Sequence, residues 1–148
     1  MLSKKTKYAI KALLALTEHG GDEPMRIADI AREQQIPPKF LELILLALKH
    51  QGLVRSRKGK GGGYLLARKP DDIYLGQVVR MFEGPLAPVP CASQTAYERC
   101  ADCRDESVCG VHIAMKKVRD ATAKILDNTS LASLTRQMDR AAQHPILT

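Results

Sequence analysis

Tryptophan is absent from this 148-residue sequence, and with two Phe and four Tyr the aromatic content is small, so any core must be packed from aliphatic side chains. No uninterrupted apolar run approaches the roughly 20 residues of a membrane-spanning helix, which excludes a helical integral membrane protein. The opening Met1-Leu-Ser-Lys-Lys-Thr-Lys7, followed by the apolar stretch from Tyr8 to Leu16, imitates a secretory signal. Lys11 interrupts the stretch, however, and no small-residue cleavage site follows. The expectation is a cytoplasmic protein with ordinarily reduced cysteines. Internal repeats and low-complexity tracts are also missing, and the length suits one domain plus an extension, short of a typical two-domain enzyme.

Charge is present but uneven. Residues 1–80 carry 15 Lys and Arg against 8 Asp and Glu, whereas residues 81–148 carry 8 against 8, so the whole +7 excess lies in the first part. A field of that sign attracts phosphate polyanions.

The first part reads as three helices. From Lys4 to Glu18, Tyr8, Ala9, Ala12, Leu13 and Leu16 share a stripe, and Gly20-Gly21 stops the helix. A second pattern runs from Arg26 to Gln35 with Ile27, Ile30 and Ala31 inward. Ile36-Pro37-Pro38 breaks the chain, and Pro38 suits the first turn of a third helix to His50, where Leu41, Ile44, Leu45 and Leu48 form one apolar stripe. Two short helices joined tightly after a packing helix make a helix-turn-helix pattern, though periodicity alone fits a generic three-helix bundle equally well.

The following segment favours the first reading. Leu53–Ser56 and Tyr64–Ala67 can form two strands around Arg57-Lys-Gly-Lys-Gly-Gly-Gly63, a glycine-rich wing whose backbone can approach a phosphate closely. Arg55, Arg57, Lys58 and Lys60 add positive charge with no acidic residue nearby, and Gly61 and Gly62 complete the candidate phosphate contacts. The order G-x-x-x-x-G-K-[ST] is absent, which argues against an NTPase loop. Lys39, Phe40 and Glu42, near the exposed start of the third helix, are candidates for base contact, Glu42 as acceptor for a cytosine amino group. Leu43 is expected to join the core more readily than Phe40.

Beyond a short helix from Leu75 to Phe82 and a linker with three prolines, all four cysteines fall within 19 residues, at Cys91, Cys100, Cys103 and Cys109, with His112 three positions on. Soft thiolates with an imidazole suit an iron–sulfur cluster or zinc. Cys100-x2-Cys103 with Cys109-x2-His112 could close a tetrahedral zinc site. A cluster could instead take Cys91, Cys103 and Cys109, leaving Cys100 over, and spacing leaves both open. Cys100-x2-Cys103 also suggests a thiol oxidoreductase, but the strand-to-helix context of such enzymes is missing, and no enzymatic activity is expected. A long helix from about Cys109 to Asp127 carries Ile113, Met115, Val118, Thr122, Ile125 and Leu126. It has no obvious partner within so small a domain, so it is expected to pack against a second copy in a homodimer. Thr129-Ser130 can cap a final short helix with Leu131 and Leu134 inward.

Lys7-Tyr8-Ala9-Ile10, Ile27-Ala-Asp-Ile-Ala31, Pro38-Lys-Phe-Leu-Glu42 and Gly61-Gly-Gly-Tyr-Leu-Leu66 together resemble the IscR-type winged-helix iron–sulfur regulators, the Rrf-two family, over nearly the full length. The resemblance implies a mainly α fold with a small β-wing and a long C-terminal dimerisation helix. It divides the chain into a DNA-binding domain at 1–82, a cluster-binding loop at 83–108, and a dimerisation helix and tail at 109–148. It implies a dimeric, sequence-specific regulator of transcription acting on double-stranded operator DNA and sensing iron–sulfur, redox or sulfur status. Cys91, Cys103, Cys109 and His112 would hold an iron–sulfur cluster of the 2Fe–2S type, with zinc as the alternative and Cys100 as the alternative ligand. The interval between Cys91 and Cys103 is longer than in the IscR pattern, Cys100 is additional, and Lys7 stands where nitric-oxide-sensing relatives carry an acidic ligand.

Overall fold

The computed structural model describes residues 2–145; residue 1 and residues 146–148, at the outer ends of the first and third expected segments, lie outside them. The elements are α1 (Lys4–His19), α2 (Ile27–Gln34), α3 (Pro38–His50), β1 (Val54–Arg57), β2 (Gly63–Leu66), α4 (Leu75–Glu83), α5 (Gly110–Asp127) and α6 (Leu131–Gln143), with single 3-10 turns at Pro70–Asp72, Pro90–Ala92 and Glu106–Val108. This is the mainly helical winged architecture that the sequence implies.

The core is aliphatic, as the aromatic scarcity requires. Ala9, Ala12 and Ala15 give α1 a small-residue face, and Leu13 and Leu16 fill the gaps between it and Ile30, Leu41, Ile44, Leu45 and Leu48. Ser3 caps α1, its hydroxyl accepting from the Thr6 N–H at 3.2 Å. The turn from α2 to α3 is three residues long. Gln35 takes a left-handed φ of 54°, Ile36 is buried, and Pro38 occupies the first turn of α3.

The strands pair antiparallel with Val54 opposite Leu66 and Arg57 opposite Gly63. Both differ by one residue from the sequence expectation. Gly63 is drawn into the sheet because Tyr64 exchanges two backbone hydrogen bonds with Met25, bringing Gly63 so close to the Met25 carbonyl that any Cβ would overlap it. Leu53 and Ala67, expected as strand ends, keep one hydrogen bond, from the Ala67 N–H to the Leu53 carbonyl.

The C-terminal part returns to this core. The Leu75 N–H donates to the Thr129 carbonyl and the Leu131 N–H to the Ile73 carbonyl, so Tyr74 and Ser130 form an isolated antiparallel bridge. From there α6, capped by the Ser130 hydroxyl, runs back against α1. Leu131 is fully buried among the core residues and Leu134 half-buried, and the helix is 13 residues long rather than short.

Along α5 no residue is buried. The single apolar stripe expected there separates into two faces. His112, Met115, Arg119, Thr122, Ala123 and Leu126 are half-buried, while Val111, Ala114, Val118, Ala121 and Ile125 are exposed. A 3.6-residue helical period places these sets on different sides, so Met115, Thr122 and Leu126 serve packing within the chain, while Ile113, Val118 and Ile125 of the expected stripe stay exposed.

Candidate functional site

The wing presents its cations outward. Arg55, Arg57, Lys58, Lys60 and Gly61 are exposed, with Gly61 at φ 75°, and Gly62 is half-buried, its Cα tucked under the Arg57 carbonyl where a side chain would not fit. The helix beside it, α3, exposes Lys39 and Glu42. Phe40 and Leu43 exchange the places expected for them. Phe40 packs on the core with its ring edge-on to Tyr8, centroids 5.6 Å apart and planes at 79°, whereas Leu43 is 61% exposed. Helical phase explains the exchange: Phe40 borders the Leu41–Leu45 stripe, and Leu43 points almost directly away from Leu48.

The N-terminus of α1 is pinned to the end of α4. Glu83 accepts from the Ser3 N–H at 2.8 Å and from the Thr6 hydroxyl. Hydrogen bonding from the Ser3 side chain, then the Thr6 hydroxyl and the Ser3 N–H, lowers its carboxyl pKa to about 2. No sequence motif announced this contact; its only trace is an acidic residue one position before the helix-ending Gly84.

The second site is a cavity of about 380 Å³ between the cysteine loop and the start of α5. Cys91, Cys100, Cys103, Cys109 and His112 all line it, so the fold gathers every sulfur ligand candidate around one space. Cys91 is 7% exposed, Cys103 and Cys109 are partly exposed, and Cys100 is exposed. His112 Nδ1 lies 3.4 Å from Cys91 Sγ. Burial, with the neighbouring Cys100 thiol adding to it, raises the Cys91 pKa.

Arginines hold the loop's backbone. Arg99 donates to the Cys103 and Arg104 carbonyls at 3.3 and 3.1 Å, fastening the turn from Cys100 to Cys103. Arg119 donates to the Ala92 carbonyl at 2.6 Å. That residue escaped sequence reasoning, although it follows His112 by seven positions and hence shares its face of α5. At the far end of α5, Asp127 pairs with Arg80 of α4 through two contacts of 2.5 and 2.9 Å, and Gly76 leaves room for the pair because a Cβ there would overlap the Asp127 carboxylate.

Among the described residues no three His, Cys, Asp or Glu side chains already converge in ion-binding geometry. The donor chemistry nevertheless fits a sulfur-ligated group, with four thiols and an imidazole lining one space. No helix of the described residues is long and apolar enough to cross a membrane.

Residues 2–137 match the Rrf2 family, described as an iron-dependent transcriptional regulator. An rrf2-like HTH-type transcriptional regulator of Rhodobacter capsulatus is 38% identical over 146 residues, 97% of each chain. Among solved structures, CymR, the global cysteine regulator of B. subtilis, aligns with a TM-score of 0.76 at 30% identity over 93% of this chain and 97% of that one. IscR of T. potens aligns with a TM-score of 0.75 at 28% identity, covering 95% and 90%. These relatives regulate transcription and are not enzymes. The winged helix-turn-helix with its basic wing is therefore that of an HTH-type transcriptional regulator, and the chain belongs to the Rrf2 family.

Proposed function

We propose that this regulator works as a cytoplasmic homodimer on a specific operator, and that a cluster bound in the cysteine cavity reports iron–sulfur, redox or sulfur status to it. The carrying observation is the joining of two features on one helix: α5 lines the cysteine cavity with His112 and presents an exposed apolar face on another side.

For DNA, Lys39 and Glu42 of α3 face base edges, and Arg55, Arg57, Lys58, Lys60, Gly61 and Gly62 meet phosphates. Phe40 supports α3 from beneath through Tyr8. For the dimer, Val111, Val118 and Ile125 recur every seven residues with Ala114 and Ala121 between them, a seam suited to close packing against the same helix of a second copy.

For the cofactor, Cys91, Cys103, Cys109 and His112 would hold an iron–sulfur cluster of the 2Fe–2S type, with Cys100, beside Cys91, as the alternative ligand. When bound, the group supplies a redox-active centre whose assembly depends on iron and sulfide. This chain's residues supply the coupling. Ligation would tie the turn at Pro90–Ala92 to the start of α5, and the Arg80–Asp127 pair joins the end of α5 to α4 and so to the DNA-binding core. The family description as iron-dependent and the cysteine-regulator role of CymR support a signal in this chemical range.

Anaerobic purification with iron, sulfide and zinc analysis tests the cofactor. Visible absorption with matched iron and sulfide is expected, and replacing Cys103 or Cys109 by Ala should abolish it while the protein stays folded. Loaded and apo protein should then differ in operator affinity at matched salt. Stoichiometric zinc without sulfide, or equal affinities, would refute the sensing role.

A further inference from the structure

The exposed side of α3 is more apolar than a surface helix requires. Lys39, Glu42, Leu43, Leu46 and His50 form one outward stripe, with Leu43 61% and Leu46 48% exposed. Opposite them Leu41, Ile44, Leu45 and Leu48 are fully buried, so core packing does not call for the outward pair. Leu43 and Leu46, one turn apart among the polar Lys39, Glu42 and His50, form a small apolar patch open to contact.

We propose that Leu43 and Leu46 read thymine methyl groups, making neighbouring A·T pairs a required part of each operator half-site. The inference rests on the proposed role of α3 as the base-reading helix. Charge commits the occupant: the stripe begins at exposed Lys39 and lies on the helix that leads into the wing, where Arg55, Arg57, Lys58 and Lys60 are all exposed. A surface so bordered by cations complements a polyanion.

Leucine has no donor or acceptor, and the floor of the major groove offers one apolar feature to it, the C5 methyl of thymine. Over a G·C pair the same side chain would strip water from the cytosine amino group or the guanine O6 without replacing the hydrogen bond, which penalises that pair. The two leucines are three residues apart, about 4.5 Å along the helix axis, a distance suited to neighbouring base pairs. Glu42, between Lys39 and Leu43, adds an acceptor for a cytosine amino group on the same stripe. The half-site read by α3 thus combines an amino group with adjacent methyl groups.

The test uses the full-length protein. Operator sequences are first selected from a random duplex pool, and each thymine is then replaced singly by uracil, which removes only the methyl group. At two neighbouring positions per half-site the replacement should weaken binding about fourfold, the effect of one buried methyl. Leu43→Ala should abolish the sensitivity at one position and Leu46→Ala at the other, while thermal melting shows both variants folded. A sequence preference indifferent to uracil everywhere would overturn methyl reading, as would leucine variants that retain the sensitivity, and would assign the patch to another occupant such as a second protein. Failure of the underlying role of α3 looks different: the pool would enrich no sequence, and both proposals would fall.

Discussion

Arg119 grips the carbonyl of Ala92, the residue after Cys91, from a side chain that is only 13% exposed. Together with His112 against Cys91 it gives α5 two successive holds on the same short turn. Arg119→Ala should therefore free that turn. In the apo protein we expect alkylation of Cys91, followed by mass spectrometry, to accelerate about tenfold, as the loss of one well-formed hydrogen bond predicts for local opening. Cys103 and Cys109 should react as before, and Arg119→Lys should restore part of the protection. A Cys91 rate within twofold of the parent would show that the contact holds nothing.

The wing prediction concerns salt. Lys58→Ala combined with Lys60→Ala should weaken binding to operator and unrelated DNA alike, because both side chains stand exposed beside the glycine turn. The slope of log K against log salt should flatten by about 0.9 per phosphate contact removed. Slopes that coincide with the parent's across a salt series would remove the wing from the interface.

Ile125 is 65% exposed on the free face of α5. A carboxylate there would have to lose water without gaining a partner if two helices meet on that face, so Ile125→Asp should shift a dimer to monomer and lower operator affinity with it. Sedimentation at low micromolar protein reads the outcome, and an intact dimer would place the interface elsewhere.

Glu83 gives a pH dependence of known sign. Its carboxyl pKa in the folded chain, about 2, is below the ordinary carboxylate value, so the unfolded chain binds the proton more readily. The stabilisation is fully present above the ordinary carboxylate pKa and is lost as the pH falls toward 2. Thermal melting of Glu83→Gln against the parent should show a gap near neutrality that narrows through the acid range. A gap independent of pH would mean that Glu83 acts through packing rather than charge.

The helices and the wing were legible because repeating patterns specify them: Leu41, Ile44, Leu45 and Leu48 mark one side of α3, and the glycine cluster marks the wing. The gathering of the cysteines was readable from their crowding in sequence. What escaped depends on contacts between distant segments. Gly63 enters β2 because Met25 reaches it from the α1–α2 connection, which leaves no periodic trace, and Arg119 serves the loop because Ala92 lies across from it, a partner that its helical spacing from His112 does not name. Phe40 and Leu43 were misplaced for a different reason: hydrophobicity says which side chains prefer burial, whereas the phase of α3 decides which have the opportunity.

The bridge between Tyr74 and Ser130 has a topological consequence. After α4, which stays packed on the core, residues 84–128, including the cysteine cavity and α5, form an excursion that returns to the core beside this bridge, closed like a bight of rope at its neck. Such a segment can change in length or chemistry without rethreading the rest, since closing a loop costs little more as it lengthens. Its neck, however, joins the start of α4 to the start of α6, and both helices rest on α1. A segment mounted this way is never mechanically isolated from the core beneath it.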